Sequence, residues 1–131
     1  MTPNELVDKF VALETHIAGR RGEFALFALF LREDAPERWD LMIAAPWIGP
    51  DRDGAVKYFV DEIKSFLGPD YLTLLSRIVI IDPNETAVEK LNRAIQVDHN
   101  PAEVRDSNFF GLAIKQAFII TSKRPGAPVA G

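Results

Sequence analysis

The side chains best suited to hydrolytic chemistry in this sequence are Asp40, Asp82, His99, Arg105 and Asp106. His99 follows Asp98, and a carboxylate that orients an imidazole prepares it as a general base. Arg105 and Asp106 follow within a few residues, and Asp40 and Asp82 add carboxylates for a metal-assisted variant of the same reaction. The stretch also reads as a plain turn, since adjacent residues seldom pair in base geometry and Asn100-Pro101 follows directly. His16 falls late in a helical segment, near the negative end of its dipole, where a cation is stabilised.

Other constellations are weaker. Pro50-Asp51 followed by Glu62-Ile63-Lys64 resembles, letter for letter, the PD…(D/E)xK signature of restriction-type nucleases. That chemistry needs its acids and lysine on adjacent strands around one cation. Here Glu62 and Lys64 lie in a helical stripe, where positions two apart point about 200° away from each other. Asp51-Arg52-Asp53-Gly54 matches only the start of a calcium loop, the later ligand positions being out of register. Ser76 and Ser107 lack the glycines of a nucleophile elbow, and no glycine-rich phosphate loop occurs. No metal-ligating set and no cofactor motif is read.

Composition sets wider bounds. With 131 residues, 15 Lys+Arg, 19 Asp+Glu and no cysteine, the chain has a formal net charge of −4. Its length fits one domain, and 47% hydrophobic residues suffice for a core. Basic residues are scattered, with Arg20-Arg21 and Lys123-Arg124 the adjacent pairs, so the concentrated positive face of a nucleic-acid binder is missing. The longest apolar run, Phe24 to Leu31, is too short for a membrane-spanning helix, and the N-terminus lacks signal-peptide character. A soluble cytoplasmic protein is expected, bound to neither membrane nor nucleic acid.

These residues must be positioned by α- and β-elements in the order α-β-β-α-β-α-β-β-β. The fold class expected is α+β or α/β: a single domain over 1–124, with a mixed sheet of about five strands packed against three helices. A flexible tail is expected over 125–131. The first helix spans Pro3 to Ala18, opened by a Thr2-Pro3-Asn4-Glu5 capping box and closed by Gly19. Phe24–Leu31, apolar on both faces, predicts a strand covered on both sides, and Trp39–Trp47 a second strand in hairpin with it. A helix carrying Val56, Phe59, Val60, Ile63, Phe66 and Leu67 follows, and Asp70–Leu75 reads as a helical turn. Arg77–Ile81 predicts a buried parallel strand beside Phe24–Leu31, and Asp82 caps a third helix. Ala102–Asp106, Asn108–Ile114 and Ala117–Thr121 read as closing strands, the last two turning at Lys115-Gln116.

Open α/β sheets gather ligands beyond the carboxyl ends of their parallel strands. That rule predicts a crevice holding Trp47, Asp51, Arg52, Asp53, Asp82 and Asn84. Because Asp51 and Asp82 would each cap a helix, an anion is expected to be repelled there, and a cation or neutral polar ligand accepted. Two functions follow. One is a protein-interaction or self-associating module, contacting its partner through Trp47, Asp51, Arg52, Phe109 and Phe110. The other is a small, possibly metal-assisted hydrolase using Asp40, Asp82, His99 or Asp106.

Overall fold

A computed structural model describes residues 2–124; the expected tail over 125–131 lies outside them. Helix α1 runs Pro3–Arg21, and strands β1 (Leu26–Arg32) and β2 (Trp39–Ala44) form a hairpin. Helix α2 (Arg52–Glu62) continues through a π-turn at Ile63–Leu67 and a 3₁₀ turn at Pro69–Leu74. Then come β3 (Leu75–Ile80), α3 (Thr86–Ala94), β4 (Ala102–Phe109) and β5 (Leu112–Ser122). The five strands form one mixed sheet in the order β3-β2-β1-β5-β4. β2 and β3 are parallel, and the remaining pairs antiparallel.

The lack of a period-2 pattern in β1 is explained by two covered faces. Phe27, Leu29, Leu41 and Ile43 pack beneath Leu6, Phe10, Leu13 and Ile17 of α1 and Phe59 of α2. Leu26, Ala28, Phe30, Met42 and Ala44 point the other way, to Val88 and Leu91 of α3. Each large side chain removed from water here contributes roughly 1.5–3 kcal/mol, which fixes the central strands as the rigid frame.

Several boundaries depart from expectation. β2 lies between β1 and β3, so the two apolar strands share a sheet without touching. β3 is an edge strand, half-exposed along Ser76–Val79 rather than fully buried. The capping box at Thr2 forms as read, but α1 passes through Gly19 and stops at Gly22. At φ 125°, Gly22 adopts a conformation open to glycine, and a Cβ there would lie 3.0 Å from the Trp47 ring. The closing hairpin turns at Phe110-Gly111, both at positive φ, so the last three segments join into two long strands.

Candidate functional site

Leu26 faces Ala44 on one side and Ser122 on the other, so β2, β3 and β5 all end at the same edge of the sheet. There the chain leaves β2 over Pro46–Pro50 and β3 over Asp82–Asn84. These connections part around a cavity of about 1080 Å³ closed by α3 and by Lys123-Arg124. The crevice predicted from topology is therefore present. Ala45, Ile48, Ile80 and Ile81 supply its apolar wall. Arg52, Asp82 and Asn84 line it as expected, whereas Trp47, Asp51 and Asp53 do not. Asp51 is spent capping α2, its Oδ1 accepting from Gly54 N at 3.0 Å.

Asp82 does not cap α3. Its Oδ1 accepts from Asn84 N at 2.8 Å in a tight Asx turn, and the helix begins at Thr86 with no side chain on its first amides. Asp82 therefore gives this helix no cap, because Pro83 and Asn84 turn the chain before it can coil, and the carboxylates at the helix start are Glu85 at the N-cap position and Glu89 in the first turn. Arg52 donates from Nη1 to the Ile80 carbonyl, tying the start of α2 to the end of β3. Arg93 donates from Nε to the Glu89 carbonyl at 3.5 Å. Asn92 is buried against the crevice floor, its Nδ2 donating to Ala25 O at 2.9 Å and Ser122 Oγ at 3.0 Å.

A second, smaller cavity of about 310 Å³ opens beside His99, and Lys123 lines both. Glu14 of α1 is fully buried under it. One Glu14 oxygen meets His99 Nδ1, and the other accepts from Thr121 Oγ1 at 2.5 Å. His99 Nε2 lies 3.2 Å from Asp98 Oδ1, and Asp98 Oδ2 accepts from Lys123 Nζ at 2.9 Å. Lys123 also donates to Glu23 at 3.1 Å. Burial disfavours the Lys123 ammonium, but its bonds to Asp98 and Glu23 outweigh this and raise its pKa above that of an ordinary lysine. With both ring nitrogens facing carboxylates, His99 is held as a bridge between α1 and the β5 end, at a backbone φ of 55°.

The remaining candidates do not join it. Asp40 is buried at the opposite end of β2, between Arg32 Nε at 3.0 Å and Arg77 Nε at 2.9 Å. Arg105 and Asp106 lie exposed on β4, the far edge strand. Arg105 pairs with Glu103 at 2.5 Å; this bond and one from Gln116 hold the Glu103 carboxyl below its usual pKa. Asp40, Asp82, His99 and the Arg105-Asp106 pair thus occupy separate places. Among the described residues, no three His, Asp or Glu side chains converge as a metal site.

The aromatic contact candidates turn inward. Trp47 packs on Phe24, Tyr58 and Phe59 and donates from Nε1 to the carbonyls of Gly22 at 3.0 Å and Glu23 at 3.1 Å. Phe109 and Phe110 fold over Phe30, at centroid distances of 5.3 and 6.1 Å. Sequence reading missed Glu14, Lys123 and Asn92. Glu14 carried one usable signal, an acid beside Leu13 on the apolar stripe of α1, where a charge needs a buried partner.

Compared with known protein families, characterised proteins and solved structures, the chain matches none of them. No helix among the described residues is long and apolar enough to cross a membrane.

Proposed function

We propose that this protein is a binding domain whose partner seats in the crevice at the carboxyl ends of β2 and β3. The observation that carries this reading is the cavity itself. It is a concave site built from four chain segments, with apolar and polar groups in its lining. The dispersal of Asp40, Asp82, His99, Arg105 and Asp106 weighs against hydrolysis, which needs such groups within reach of one reacting atom. The inward packing of Trp47, Phe109 and Phe110 favours a separate partner over a second copy, since self-association would lose its aromatic anchors. A chain without cysteine supports a cytoplasmic setting.

The hydrolase reading retains one supporting feature, the imidazole of His99 beside Asp98 at a small pocket. Its other nitrogen is occupied by buried Glu14, which leaves the ring a tether rather than a free base. A screen of phosphatase, esterase and nuclease substrates, run with thermal melts in Mg²⁺, Mn²⁺ and Ca²⁺, separates the two. The binding reading expects no turnover and no metal-dependent rise in melting temperature. Turnover that disappears in Asp82→Asn or His99→Gln would overturn it.

A further inference from the structure

Building on the crevice as the binding site, we propose that its ligand is a small organic oxyanion: a carboxylate or phosphate on an apolar body, held by Arg52, Arg93 and Arg124. Most arginines of this acidic chain find partners, and Arg38 stands exposed before β2, outside the cavity. Arg20, Arg32, Arg77 and Arg105 each meet a carboxylate. Arg21 lies over the rings of Trp47 and Tyr58, 5.0 and 4.8 Å from their centroids. Among the described residues, Arg52, Arg93 and Arg124 have no carboxylate within 4.0 Å, and all three line the same cavity. Cations left unpaired around a concavity concentrate positive potential where field lines are focused.

The guanidinium plane presents a fork of N–H donors that matches two oxygens of a carboxylate or phosphate. Arg52 is held in place by its bond to the Ile80 carbonyl, so part of the site is ordered before a ligand arrives. The first amides of α3 carry no side-chain cap and add partial positive charge, offset in part by Glu89 in the same turn. The lining carboxylates are Asp82 and Glu89, the first engaged in its Asx turn, and Lys123 is neutralised by Glu23 and Asp98. Ala45, Ile48, Ile80 and Ile81 add an apolar surface to the same cavity, which sets the body of the ligand.

The test is a chemical-shift titration of the ¹⁵N-labelled chain with phenyl phosphate, benzoate and the neutral benzyl alcohol. The Arg93→Gln/Arg124→Gln variant is titrated in parallel; both side chains are exposed, so the fold is kept. The expected result is saturable movement of amides in 45–52, 80–84 and 89–96 with one or both anions. Binding should weaken about tenfold in the variant and fall with salt. Phenyl phosphate alone would assign a phosphate ligand, benzoate alone a carboxylate. If benzyl alcohol moves the crevice amides as strongly as the anions, and the variant binds all three equally, the oxyanion inference fails while the crevice reading stands. If no probe moves crevice amides, the inference is overturned. If, in addition, a neutral and cationic fragment set leaves those amides still, the crevice reading fails with it.

Discussion

The crevice and the Glu14–His99 cluster meet at Lys123, yet they dispose of their charges in opposite ways. In the cluster, Glu14, Thr121, His99, Asp98, Lys123 and Glu23 pair with one another from α1 to the end of β5. In the crevice, guanidinium groups stand in a cavity about three and a half times as large and, among the described residues, have no carboxylate within 4.0 Å. Charges that pair across elements hold the architecture, because removing one leaves another uncompensated in low dielectric. Charges kept apart at a concave surface contribute little to folding and remain available to a ligand. The Arg32–Asp40–Arg77 group at the opposite end of the sheet belongs to the first kind.

The contrast can be broken by substitution. His99→Ala strands the fully buried Glu14 carboxylate with Thr121 as its remaining partner, and urea unfolding should show a loss of about 3 kcal/mol. Asp40→Asn leaves Arg32 and Arg77 facing each other; because Arg77 is half-exposed, a loss nearer 2 kcal/mol is expected by the same measurement. Lys123→Met should cost about 1 kcal/mol at neutral pH. Since the native state raises the Lys123 pKa, that contribution is complete below the unfolded value of 10.5 and is lost as pH climbs through the higher native one. The stability difference between wild type and Lys123→Met should therefore shrink as pH is taken above that window. Arg93→Gln and Arg124→Gln should each change stability by less than about 0.5 kcal/mol. A large loss from either would place that arginine with the structural charges instead.

What could be read from sequence was what is local or set by topology. The Thr2–Glu5 capping box lies within one turn of chain, and the doubly apolar Phe24–Leu31 announces a strand with two covered faces. The crevice follows from two strands running parallel, a property of element order. Pairings across the chain were not legible. Glu14 and His99 are 85 residues apart, and nothing near either identifies the other. Gly19 looks like a stop in sequence, yet α1 ends at Arg21. Arg20, paired to Glu62, and Arg21, stacked on Trp47 and Tyr58, carry the helix onward. Trp47 read as an exposed contact because its hydrogen bonds go to carbonyls more than twenty residues earlier. Asp82 reads as a cap in sequence, but its carboxylate takes the Asn84 amide two residues on instead.

The most direct test is urea unfolding of wild type and Arg93→Gln/Arg124→Gln, each with and without phenyl phosphate or benzoate. Without ligand the two proteins should unfold at the same midpoint. A saturating anion should raise the wild-type midpoint by linkage and raise that of the variant distinctly less, since tenfold weaker binding removes about 1.4 kcal/mol of the stabilisation. An equal rise in both proteins, or none in either with both anions, would contradict the assignment of these guanidinium groups to ligand binding.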